Sequence, residues 1–125
     1  MGSKPEKVNY MGIAMLASGV LNVLSGCGWT LLIVLGTAGI GIICAPFILI
    51  PAVLGGYEIY YALKIVREPM QPIQAQRMQL IAIGEIASLI WGNVPSAVAG
   101  VLLLVWLGDP EVKAFLEAQE PAASV

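Results

Sequence analysis

Two carboxylates stand in otherwise apolar sequence, Glu58 and Glu85, and two amides, Asn22 and Asn93, keep similar company. An acid inside a membrane span is expensive unless it is protonated, paired or beside water, which makes it a functional candidate by default. The chemistry within its reach is the binding or passage of a proton, a small cation or a polar ligand. The structural alternative is a hydrogen bond to Tyr61, or to serine and backbone groups of a neighbouring helix. A contact to a lipid headgroup or a partner subunit is the third possibility. Glu58 lies six residues before Lys64 and Glu85 eight after Arg77. At helical rise those are about 9 Å and about 12 Å, so both acids sit at similar depth.

Other chemistry is thinly supplied. There is no histidine, which removes the commonest general base and a common haem ligand. Cys27 and Cys44 are too few to hold a metal without a third cysteine or a histidine. Both fall in apolar sequence and read as small buried residues; a disulfide between them is not favoured, because the expected turn sets them at unequal depth. No glycine-rich phosphate loop follows a strand, and no serine or cysteine has a plausible base. An enzyme is not expected, nor is any cofactor or metal.

The elements that must position the acids are set by composition. The chain has 125 residues, 58% hydrophobic and 11% charged, with mean hydropathy +0.87. A soluble domain carries about a quarter charged residues, so an ordinary water-facing surface is excluded. From Val8 to Tyr57 there is no charged residue, a run far beyond the ~20 residues of one transmembrane helix. The net charge of −2 and the lack of a basic face exclude nucleic acid as a partner. The expected class is an all-α integral membrane bundle of four transmembrane helices in two hairpins, followed by a short interfacial helix.

One membrane domain, 1–125, divides as follows. Residues 1–7 are a polar tail, 8–63 the first hairpin, 64–77 a water-facing seam, 78–107 the second hairpin, and 108–125 the interfacial helix and tail. The seam holds Lys64, Arg67 and Arg77 with Pro69 and Pro72, which a continuous helix does not tolerate. The apolar stretch from Val8 reads as an uncleaved first span, bending at Gly26–Cys27–Gly28. Within it Gly12, Gly19 and Gly26 recur every seven residues beside Ser18, Asn22 and Ser25, a small and polar stripe suited to packing against another helix. A turn at residues 36–41 leads to a second span over 42–63, kinked or broken near Pro51; a turn at Ala45–Pro46 is the alternative.

Gly84, Ser88 and Gly92, spaced by four, form a second packing stripe. Gly92–Asn93–Val94–Pro95 is a turn sequence. Residues 78–107 give either two spans of roughly 20 Å or one helix of roughly 45 Å, so three spans compete with four. With four, all six basic residues fall on one side, and the positive-inside rule makes that side the cytoplasm with both termini on it. Tyr10, Tyr57, Tyr60, Tyr61 and Trp106 then lie at the inner face, and Trp29 and Trp91 at the outer, the depths aromatic belts occupy. Asp109 caps a helix with Pro110 in its first turn, and Val112, Phe115 and Leu116 share one face. Residues 120–125 read as a frayed end.

From Gly92–Asn93–Val94–Pro95 through Trp106–Leu107–Gly108–Asp109–Pro110–Glu111–Val112–Lys113–Ala114–Phe115 the chain resembles a loose group of small bacterial four-span proteins. In that group a proline turn leads into a last span and an Asn/Asp-Pro-Glu-Val-Lys-Ala-aromatic tail. The resemblance covers about a fifth of the chain. It implies four spans and a bacterial inner membrane, and brings no activity with it.

Two functions from different classes fit these residues. The favoured one is a structural or accessory membrane protein, a small subunit packing in a larger complex or with itself, its partners being the bilayer and other membrane subunits. The alternative is a small ion or solute carrier or channel protomer working through Glu58, Glu85 and Asn22; so few polar groups in so short a chain leave little to line a path.

Overall fold

A computed structural model describes residues 3–119, and every regular element among them is helical. The expected frayed end at 120–125 lies outside the described residues. Helix α1 is Glu6–Gly36; a tight turn and a 3-10 segment, Ile40–Cys44, follow it. Then come α2 (Ala45–Ile48), α3 (Ile50–Val66), α4 (Ala75–Ala87), α5 (Val94–Leu107) and α6 (Pro110–Glu117). A second 3-10 segment, Ser88–Trp91, extends α4. Two segments, Glu6–Gly36 and Ile40–Val66, are long and apolar enough to cross a membrane; α5 is apolar but shorter.

α1 buries Val8, Met11, Met15, Ser18, Asn22 and Gly26, spaced by three and four, so one face meets the rest of the protein. α1 packs most extensively against α3 and also against α5, while α4 pairs with α5. The bend expected at Gly26–Cys27–Gly28 does not form, and α1 runs unbroken. Helix packing decides the matter: a Cβ on Gly26 would come within 2.7 Å of the Ala52 nitrogen. The break is in the second segment instead, at Leu49, with Pro46 and Pro51 each in the first turn of a new helix, where their missing N–H costs nothing. The seam is shorter than expected, residues 67–74, because α3 runs on through Val66 and α4 starts at Ala75.

The interior is layered along the bundle. Towards the end that carries the basic residues it is apolar, with Met11, Met15, Ile65, Met78, Ile81 and Leu103 fully buried. α6 closes this end. Asp109 Oδ1 accepts from the Glu111 amide at 3.0 Å, and Val112 and Leu116 turn into the same core. Above this layer the buried residues become polar. Outside, large apolar side chains such as Leu24, Leu32, Val53 and Val105 are exposed, a pattern that suits lipid rather than water. Cys27 and Cys44 are on this outer surface as free thiols, not buried as expected; Cys27 follows inward-facing Gly26 and so points about 100° away from the packed face.

Candidate functional site

Four helices deliver polar side chains to one buried place. α1 supplies Ser18 and Asn22, one turn apart; α3 supplies Glu58; α4 and its extension supply Glu85 and Ser88; the start of α5 supplies Asn93 and Ser96. Ser18, Asn22, Glu58, Glu85, Ser88 and Ser96 are all buried. Asn22 is the hub. Its amide Nδ2 donates to Glu58 at 3.0 Å from Oε1 and 3.1 Å from Oε2, and to Ser96 Oγ at 3.0 Å. Its Oδ1 accepts from Asn93 Nδ2. A carboxamide suits the position because it offers two donors and an acceptor at once. Asn93 also caps α5, accepting from the Ser96 amide at 3.3 Å, and Ser18 Oγ donates to Ser96 Oγ at 3.2 Å.

Glu85 is the exception. Its side chain is fully buried and neither carboxyl oxygen has a hydrogen-bond partner among the described residues. It lies within Coulombic range of Glu58 and beside Ser18. No cation offsets the two acids: the lysines and arginines are at the other end, with Lys4 bonded to the Ile65 carbonyl and Lys7 to Asp109. Leaving a buried polar group unmatched costs on the order of 1–3 kcal/mol, and more if it is charged. The expected partners of the acids are Tyr61, or serine and backbone groups of a neighbouring helix. Instead Tyr61 pairs with the Tyr57 hydroxyl at 3.3 Å, and Ser88 donates to the backbone carbonyl of Glu85 at 2.5 Å.

A cavity abuts the cluster at Asn93. Its volume is about 360 Å³, and it lies between α1, the α2–α3 break and the α4–α5 turn, with Ser25, Trp29, Pro51, Trp91 and Asn93 in its wall. Asn93 therefore faces the cavity and Asn22 together, one hydrogen bond from the hub and two from Glu58. Trp91 packs on Phe47 with ring centroids 5.2 Å apart, and its buried indole N–H has no partner among the described residues. On the far side of the acids the apolar core closes the bundle. Among the described residues no group of three or more metal-ligating acids, cysteines or histidines occurs.

The packing glycines set how close these helices come. A Cβ on Gly12 would meet Ile65 Cγ2 at 2.8 Å, one on Gly19 the Gly55 carbonyl at 2.8 Å, and one on Gly84 Leu54 Cδ1 at 3.0 Å. Gly92 does not pack: a Cβ there meets nothing within 4 Å, and its φ of +73° ends the 3-10 segment in a left-handed turn. Two contacts went unmarked in the sequence. Gly55 sits against the Gly19 carbonyl, and a Cβ on Gly100 would fall 2.5 Å from the Ala82 carbonyl. Ser96 and Gly100, four apart, carry the same small-residue spacing as the two stripes and would have shown the second.

Fold and cluster together define an all-helical protein with two segments fit to cross a membrane and a polar, acid-bearing interior. No protein-family model, curated protein or solved structure matches the chain.

Proposed function

We propose that this chain is a multi-pass protein of a bacterial inner membrane, crossing four times, and that it serves as a small accessory subunit, packed in a larger membrane complex or against copies of itself. The observation that carries this reading is a mismatch between its hairpins. α1 has 31 residues and α5 has 14, roughly 46 Å against roughly 21 Å. The Gly92–Asn93 turn lines the same cavity as Ser25, Trp29 and Ile33 of α1, so the last turn of α1 and the 3-10 segment after it stand beyond it. That tip is uncharged and exposes Leu35, Ile40, Ile42 and Ile43, the last at 79%. If the tip is in water, its apolar surface needs a cover. In lipid it would need none, since the turn amides from Thr37 to Ile42 are all hydrogen-bonded within the tip; the subunit reading therefore takes the tip to stand clear of the hydrocarbon. A second membrane chain, or a second copy, meets that need.

The basic residues give this reading its orientation. Lys4, Lys7, Lys64, Arg67, Arg77 and Lys113 lie at one end of the bundle, which the positive-inside rule assigns to the cytoplasm. α4 and α5 then cross as a short pair through a locally thinned bilayer. Reporter fusions after Arg67 and after Val125 are expected to give cytoplasmic signals; a periplasmic signal from the second would end the four-span topology. For assembly, the protein in mild detergent is expected to run well above its 13.2 kDa mass, allowing for bound detergent, or to bring a membrane partner with it. Replacing Ile42 and Ile43 with serine should release that partner. A monomer with nothing bound, before and after the change, would overturn the subunit reading.

A second reading is favoured by Glu85. A fully buried carboxyl with no hydrogen-bond partner among the described residues, beside a second acid and linked through Glu58, Asn22 and Asn93 to a cavity, is suited to exchange a small cation, the proton included. On that reading the chain is a carrier or channel protomer, with Asn93 and Asn22 leading from the cavity to Glu58 and Glu85.

A further inference from the structure

α3 carries a second set of features that the interior does not use. At its basic end Tyr60, Leu63, Lys64, Arg67 and Gln71 surround a notch of about 90 Å³. Among the described residues neither Lys64 nor Arg67 forms an ion pair. Tyr60 is shared with a shallow apolar groove of about 600 Å³ that climbs α3 past Tyr57, Gly56, Val53 and Ile50 to Pro46. Gly56 keeps the groove open, since a Cβ there would meet nothing within 4 Å. From Tyr60 to Ile50 α3 alone climbs roughly 15 Å, and α2 carries the groove on to Pro46, enough to line a chain through one leaflet of a ~30 Å hydrocarbon core.

We propose that notch and groove together hold one anionic phospholipid, its phosphate between Lys64 and Arg67 and one acyl chain along the Gly56 face of α3. The two cations are three residues apart and so share a helix face. They carry the attraction alone, because the C-terminus of α3 presents partial negative charge to an anion. Basic residues at the cytoplasmic end of a span are the usual readers of anionic headgroups. A choline headgroup suits the notch poorly. It would want the faces of Tyr60 and Tyr61, and the Lys64 ammonium already occupies them, 4.7 Å and 5.5 Å from the ring centroids. It would also want an acid, and Glu68 lines a different notch, with Lys4, Asn9 and Tyr10. A free anion would satisfy the cations and leave the groove unused. The site depends on the chain lying in a bilayer but not on its assembly with a partner.

The test is thermal melting of the full chain in detergent with added phosphatidylglycerol, phosphatidylcholine or glycerol phosphate, together with native mass spectrometry for retained lipid. Phosphatidylglycerol is expected to raise the melting temperature by several degrees and to stay bound one per chain. Phosphatidylcholine should do less at the same mole fraction, and glycerol phosphate nothing. The double change Lys64→Gln and Arg67→Gln should remove the difference between the two lipids. Gly56→Leu, placed in open space, should weaken phosphatidylglycerol while keeping both cations. Equal shifts from the two lipids would overturn the proposal, as would a shift that survives the double change. A full effect from glycerol phosphate, or no loss in Gly56→Leu, would show an anion site without a lipid and overturn it too. If the double variant does not fold, the wild-type lipid comparison and Gly56→Leu decide.

Discussion

One amide on α1, that of Asn22, bridges both oxygens of Glu58 on α3, at 3.0 Å and 3.1 Å, where neither side chain has any exposure. Removing it strands the acid. Asn22→Ala deletes the donor to Glu58 and Ser96 and the acceptor for Asn93, with no water-facing alternative for Glu58. A loss of about 1–3 kcal/mol is expected, the scale of leaving buried hydrogen-bonding groups without their partner. Chemical denaturation in detergent measures it. Asn22→Ala with Glu58→Leu should recover part of the loss; if the double variant is less stable than either single one, the bond is not what holds the two helices.

Gly55 and Gly100 set the approach of α1 to α3 and of α4 to α5. An added methyl at either would press on a facing backbone carbonyl, which cannot turn aside as a side chain can. Gly55→Ala and Gly100→Ala should each cost about 1–3 kcal/mol. Gly28 is helical but has nothing within 4 Å, so Gly28→Ala should be neutral or stabilise by up to about 1 kcal/mol. Melting of the three variants side by side separates close packing from helix propensity.

Asp109 ties α6 to the start of α1. The hydrogen bond from Lys7, at 2.5 Å, holds its carboxyl below the usual range, helped by the Glu111 amide and by the charge of Lys7. A depressed native value means the contribution is present above the unfolded value of about 3.9 and is lost as pH falls through the native one. Docking of α6 should therefore weaken in acid, below about pH 4. Asp109→Asn keeps an acceptor for the cap and removes the charge. Hydrogen exchange of the α6 amides at pH 7, 5 and 3 should show the acid step in the wild type and little of it in the variant.

Local signals were legible and paired signals were not. The Asp109–Pro110 start of α6 was readable because capping is decided within one turn. The Gly12, Gly19 and Gly26 stripe was readable because its seven-residue recurrence is a helix face, and that same face overrode the flexibility that made Gly26–Cys27–Gly28 look like a bend. Glu58 and Glu85 were readable as singular from their apolar neighbours. Their surroundings were not, because Asn22 is 36 residues from Glu58 and 71 from Asn93, and no local pattern encodes such a pairing. Tyr61, three residues from Glu58 in sequence, turns to Tyr57 instead. The serines of the cluster were hidden for another reason: Ser18 and Ser96 look like packing residues, and become polar partners only once Asn22 lies between α3 and α5.

Glu85 separates the two functional readings. Its oxygens have no hydrogen-bond partner among the described residues, so in a purely structural interior an apolar group of similar size should serve better. Glu85→Leu would then raise stability by about 1–3 kcal/mol, the usual result when a buried unmatched polar group gives way to hydrocarbon, with assembly unchanged. If the acid instead holds a cation, the same change removes a ligand, and the wild type should show a stabilisation by monovalent salt that the variant lacks. Liposomes carry the comparison further. Proton- or cation-dependent flux present in the wild type and lost at least tenfold in Glu58→Gln with Glu85→Gln would make the carrier reading the better one. Gln keeps the shape and the hydrogen-bonding capacity of the side chain, so loss of flux with the bundle intact would be loss of the acid itself. No flux from either protein, with Glu85→Leu more stable and its partner still bound, would leave Glu58 and Glu85 as groups that hold the helices in register.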